Sequence, residues 1–151
     1  MPWAEFAPSR RLVSALAGVG GGRALVIGCG LGDDAEHVAS LGFTTVAFDV
    51  SPTAIAAARQ RFQRSPVEYV AADLLSPPPS WAGAFNLVVE VYTLQVLTGA
   101  ARRLAFARIA QMVAPGGRLL VIAGHATTTR TPARCPGHSP GPRSTHSAGT
   151  G

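Results

Sequence analysis

The apolar run Leu25-Val26-Ile27 ends in glycines at 28, 30 and 32, and two acids, Asp33 and Asp34, follow at once. A strand that stops in alternating glycines turns sharply and lets bare backbone approach a ligand closely, as the nucleotide-binding turns of open α/β sheets do. This stretch, "RALVIGCGLGDD", therefore predicts a strand, a tight turn and the start of a helix. Cys29 sits inside the turn, where a small side chain fits.

The rest of the chain repeats the same alternation. Further strands are expected at Thr44 to Phe48, Val67 to Ala71, Phe85 to Val91 and Arg118 to Ala123. Their near-continuous apolar character suits strands covered on both faces, hence a parallel sheet. Helices are expected at Ala35 to Leu41, Thr53 to Phe62 and Ala100 to Val113, with an opening helix near Arg10 to Leu16. Ser51 and Pro52 are a capping residue and a first-turn proline for the second of these. Leu104, Ile109 and Val113 are expected on the apolar side of the last, which stops at "APGG". Strands and helices alternating at these lengths make an α/β, Rossmann-like, doubly wound parallel sheet.

Residues 125–151 differ in kind. They contain no Val, Ile, Leu, Met, Phe, Trp or Tyr, and Thr, Pro, Gly and Ser supply 17 of the 27. With nothing apolar to offset the entropy of ordering, a disordered low-complexity tail is expected there, beyond a domain of residues 1–124. The abrupt change also fits a break in the gene or reading frame near Gly124. The net charge of +5 is split by the same boundary: all eight acids and ten of the thirteen arginines precede Gly124. A basic stripe for nucleic acid is therefore not expected. Neither a membrane span, which takes roughly 20 apolar residues, nor a secretory signal is legible, so a cytoplasmic location is expected.

The acids narrow the ligand. A dinucleotide turn reads G-x-G-x-x-G, and here Asp33 stands where the last glycine would, beside the place a pyrophosphate would occupy. No Gly-Lys-Ser/Thr follows, so a Walker-type loop is excluded. S-adenosylmethionine fits better, since it carries a sulfonium and an ammonium and no phosphate. Asp49 lies 21 residues after Gly28 at a strand end, where a carboxylate can accept from both ribose hydroxyls. Asp73, in "AADLL", can accept from the adenine amino group. Each acid taken alone could equally be a helix cap or loop carboxylate.

With these residues in place, the chain resembles class I S-adenosylmethionine-dependent methyltransferases from about Pro2 to Gly124. "VIGCGLGDDAEHVASLGFTTVAFDVSPTAI" is similar to the first two motifs of that family, most of all in bacterial members related to thiopurine and tellurite methyltransferases. "VAPGGRLLVIA" resembles the turn and fifth strand. The resemblance implies that Gly28, Cys29, Gly30 and Gly32 form the loop under the methionine part. It also implies that Asp49 holds the ribose, that Asp73 meets the adenine, and that Val50 and Leu74 sandwich its ring. Many members carry an acid where this chain has Val26, so the methionine ammonium needs another acceptor: a loop carbonyl, Asp33 or Glu90. The family's last two strands are lacking, which would leave "RLLVIA" as an apolar edge.

Glu90, at the end of the fourth strand, is the candidate base or substrate contact, with Tyr92 and Gln95 beside it; Tyr92 could also face the sulfonium or simply pack. By the resemblance Trp3 is a candidate lid over the cofactor, with packing at the sheet edge as the equal alternative. His37 is expected on a solvated face, and the histidines of the tail lack metal-ligand spacing. An Asn-Pro-Pro-aromatic sequence of nucleic-acid amine methylating enzymes is absent, so a small-molecule acceptor is expected. Two other readings stand beside an active methyltransferase: an inactive cofactor-binding fragment of one, and an NAD(P)-binding oxidoreductase.

Overall fold

The structure, a computed structural model, describes residues 7–122. Their strands are β1 (Arg23–Ile27), β2 (Thr44–Asp49), β3 (Glu68–Ala71), β4 (Phe85–Val91) and β5 (Val113–Ile122). They form one sheet in the order β3-β2-β1-β4-β5, and every neighbouring pair is parallel. The helices are α1 (Arg10–Ala15), α2 (Asp33–Ser40), α3 (Pro52–Arg61) and α4 (Gly99–Met112). The expected Rossmann-like, doubly wound sheet is the fold found. The expectations for Trp3, for the tail from 125 and for the absent last strands fall on residues outside the described ones.

Strand alternation explains why the runs are apolar throughout. Ala24, Val26, Ala47, Leu87 and Val89 face a cluster with Leu12 and Leu16 of α1, Ala35 and Val38 of α2, and Ile55 and Ala58 of α3. Leu25, Ile27, Val46, Phe48 and Val88 face the other way, onto Ala105, Ile109 and Met112 of α4 and onto Trp81. The three central strands β1, β2 and β4 thus bury both pleat faces, as parallel strands do, and the edge strands β3 and β5 are more open. Trp81 fills the space between Phe48 and Phe85, with ring centroids 5.2 and 6.1 Å away.

Local signals set the helix ends. The Ser51 hydroxyl accepts from the Ala54 amide at 3.2 Å, and Pro52 opens α3, as its sequence predicts. Two details differ from expectation. On α4 the buried stripe is Ala105, Ile109 and Met112, and Leu104 is exposed. β5 begins at Val113, five residues before "RLLVI". Val113 pairs with Phe85 and Arg118 with Leu87, so "APGG" is taken up as an irregularity inside the ladder.

The chain order places the site. It runs outward through β1, β2 and β3, then returns to lay β4 on the opposite side of β1. The crevice where strand order reverses, outside the carboxyl ends of β1 and β4, is where open α/β sheets take their ligands.

Candidate functional site

Three segments meet at that crevice: the glycine bend after β1, the end of β2, and the loop after β4. Cys29 continues the ladder, its amide donating to the Phe48 carbonyl at 3.0 Å. Gly30, at φ +52, has nothing within 4 Å of where a Cβ would stand, so the bend opens onto free space there. Gly28 instead lies tight against the Thr93 side chain, and Gly32 (φ +95) against the ring and hydroxyl of Tyr69. The first and third glycines are thus needed for packing, and the middle one leaves room for a ligand.

Asp49 joins the segments. Its Oδ2 accepts from the Gly30 amide at 3.0 Å and its Oδ1 from the Ser51 amide at 2.9 Å. Ser51, not Asp49, caps α3. The Asp49 carboxylate therefore faces the glycine bend, held by two backbone donors and still partly open to solvent. Asp73 lies on the same rim, two residues beyond β3, exposed, with Oδ1 accepting from the Leu75 amide at 2.9 Å. The Ala72 amide, donating to the Asp49 carbonyl at 3.1 Å, ties the two strand ends together. Val50 projects into solvent at 72% exposure, whereas Leu74 is buried in the core with Trp81. The two residues expected to sandwich a ring therefore differ sharply in accessibility.

Asp33 is committed elsewhere. Both its oxygens meet the Arg61 guanidinium, at 2.8 and 3.0 Å, and Arg61 also donates to the Leu31 carbonyl at 2.8 Å. This forked pair pins the end of α3 to the bend, so Asp33 is occupied as an ammonium acceptor. Asp34 Oδ1 accepts from the Ser9 amide at 2.7 Å and so fixes the start of α1 beside the start of α2. Tyr69 spans the same region, its hydroxyl donating to Glu36 Oε1 at 2.6 Å. Burial, followed by the Glu36 contact, raises the Tyr69 pKa.

Glu90 is fully buried. Its Oε1 accepts from the amides of Thr93 and Leu94, the latter at 2.8 Å, and its Oε2 is buried without a hydrogen-bond partner. Desolvation is the leading cause of a raised pKa, opposed by the two amides and by the charge of Arg102. As it lies, Glu90 clasps the loop that carries Thr93 under Gly28, and touches no open space. Tyr92 is the one described non-glycine residue with positive φ, +58, and is 40% exposed; its amide donates to the Ile122 carbonyl at 2.8 Å. Gln95 is exposed. Cys29 turns its side chain into the core, and burial, then the Asp49 charge, pushes its thiol up to about 12. It offers the bend its backbone only. His37 departs from the solvated face expected of it, because its Nε2 is buried without a partner. Among the described residues no three His, Cys, Asp or Glu side chains gather as a metal would need, and no helix is long and apolar enough to cross a membrane.

A family model described as a methyltransferase domain matches residues 24–117. The chain belongs to that family. The match takes in β1 through the start of β5, with the glycine bend, Asp49, Asp73 and Glu90. A search of curated proteins found no match to this methyltransferase domain. Among solved structures, it is similar to the N-methyltransferase NodS from Bradyrhizobium japonicum WM9 in complex with S-adenosyl-L-homocysteine. The TM-score is 0.68 at 30% identity, over 80% of this chain and 65% of that one. A structure described as "Conversion of a Disulfide Bond into a Thioacetal Group during Echinomycin Biosynthesis" gives a TM-score of 0.71 at 30% identity. It is matched over 79% of this chain and 50% of its own. The glycopeptide N-methyltransferase MtfA complexed with S-adenosyl-L-methionine shares the fold at 22% identity and a TM-score of 0.67, over 77% and 54%. The chain spans between half and two thirds of the length of these structures.

Proposed function

We propose that this domain binds S-adenosylmethionine at the carboxyl ends of β1, β2 and β3 and serves methyl transfer to a small-molecule acceptor. The observation that carries the reading is Asp49. Its carboxylate is turned toward an open bend by the Gly30 and Ser51 amides. A carboxylate offers about four acceptor sites, so two remain for a pair of ribose hydroxyls. Asp73, exposed on the same rim, is the matching acceptor for an adenine amino group. The space above Gly30 accommodates the methionine part, where a Cβ would otherwise intrude.

The alternative of a dinucleotide is opposed by how the bend spends its donors. The Gly30 amide goes to Asp49 and the Gly32 amide to the Cys29 carbonyl, at 2.9 Å. The first turn of α2 carries Asp33, Asp34 and Glu36, so the positive end of the helix is met by the chain's own acids. A pyrophosphate would find few free amides and much negative charge. Asp33 contributes less than the sequence suggests, since Arg61 balances it.

S-adenosylmethionine, held by Asp49 and Asp73, would supply an already activated methyl group, so that no further activation is asked of the protein. The protein's own part is alignment: ordering acceptor and donor within about 3–3.5 Å can supply several kcal/mol of the barrier. Glu90 serves this by holding the loop after β4 in place. NodS and MtfA are N-methyltransferases, which favours a neutral amine as acceptor within this proposal. The affinity to thiopurine and tellurite methyltransferases belongs to the same proposal.

Calorimetric titration of the chain with S-adenosylhomocysteine and with NADH tests the reading. Saturable binding of the former alone is expected; binding of NADH alone would overturn it.

A further inference from the structure

A cavity of about 500 Å³ lies between the start of α1 and the loop after β4, lined by Ala7, Pro8, Ser9, Arg10, Arg11 and Tyr92. Its size suits a small organic molecule. One hydrogen bond and one chain position place it at the mouth of the site described above. The Ser9 amide is held by Asp34, at the head of α2 next to the glycine bend. Tyr92 follows directly on β4, at the point where strand order reverses.

Tyr92 is kept in a conformation that costs a non-glycine residue about 1–3 kcal/mol. The hydrogen bond from its amide to the Ile122 carbonyl holds the backbone there, and the residue stays 40% exposed at the cavity instead of joining either core cluster. Strain held for an exposed aromatic ring points to a ligand contact. Among the described residues of the lining the charged ones are Arg10 and Arg11, and Arg11 is engaged in a contact of its own. Arg10 is exposed and makes no ion pair among the described residues.

We propose that this cavity receives the methyl acceptor and that the acceptor is a small aromatic compound bearing an anionic group, its ring against Tyr92 and its charge met by Arg10. This rests on the methyltransferase reading and adds the chemical class of the acceptor to it. An anion also suits a site whose donor carries a sulfonium, because the two are drawn together.

The test uses 4-aminobenzoate and 4-aminobenzamide as probes, which share a ring and an amine and differ in charge. Each is titrated into the full chain saturated with S-adenosylhomocysteine. The carboxylate is expected to bind at least fivefold more tightly than the amide. Arg10→Gln should bring the two to parity while leaving S-adenosylhomocysteine affinity unchanged, and Arg10→Lys should keep most of the preference. Equal affinities in the unaltered chain, failure of both probes to bind, or a preference that survives Arg10→Gln would each overturn the proposal. If S-adenosylhomocysteine does not bind but the Arg10-dependent preference persists in the chain alone, the anion pocket stands and the cofactor reading falls.

Discussion

Substituting Glu90 separates its charge from its hydrogen bonds. Glu90→Ala strips the acceptor from the Thr93 and Leu94 amides in a fully buried setting. At about 1–3 kcal/mol per orphaned donor, the loss is about 2–6 kcal/mol, with a cavity term in addition. Glu90→Gln keeps an oxygen for both amides and removes the charge, so pH dependence is the sharper readout. Burial raises the Glu90 pKa above its ordinary 4.5, and the folded state therefore holds the proton more tightly than the unfolded chain. That contribution is fully present below pH 4.5 and is lost as pH rises through the folded-state value. Each unit of elevation corresponds to about 1.4 kcal/mol at the high-pH end. Urea denaturation followed by tryptophan fluorescence, at intervals from pH 4.5 to 8, measures it. The unaltered chain should lose stability across this window relative to Glu90→Gln. Parallel stability curves would refute the claim that a desolvated carboxyl sits under the loop.

Gly32→Ala should be costly, because the new Cβ would stand 2.5 Å from the Tyr69 hydroxyl oxygen at φ +95. Left-handed strain and overpacking together predict about 2–5 kcal/mol, and the loss in denaturation experiments should shrink in a Tyr69→Phe background. Cys29, with its thiol pushed up to about 12, should react with an aromatic disulfide reagent at pH 8 far more slowly than the unfolded chain does. A Cys135→Ser background isolates the measurement, and equal rates folded and unfolded would contradict the buried placement.

The framework was legible because both of its signals are local. Runs such as "FNLVVEV" announce strands covered on both faces, and β4 spans the expected Phe85–Val91. Glycines at 28, 30 and 32 mark the bend, and Ser51-Pro52 marks the start of α3. What the sequence hid are pairings between distant residues. Nothing near Asp33 announces that Arg61, 28 residues on, will take both its oxygens. Asp49 could be seen as a rim acid, but not its grip on the Gly30 amide. Glu90 read as an accessible strand-end acid. Only the fold reveals that the chain turns back at Tyr92 and buries it. The apolar side of α4 was misplaced for a related reason. Leu104 and Ile109 are both apolar, and which one meets the sheet depends on how the helix is rotated against β4 and β5.

The most direct measurement is the affinity of S-adenosylhomocysteine for Asp49→Ala beside that of the unaltered chain, with folding of both verified by circular dichroism. If the carboxylate facing the bend grips the ribose, the substitution removes charge-assisted hydrogen bonds and affinity should fall at least tenfold, about 1.4 kcal/mol. An unchanged affinity in a folded variant would mean that Asp49 only braces the turn, and that the adenosyl site lies elsewhere.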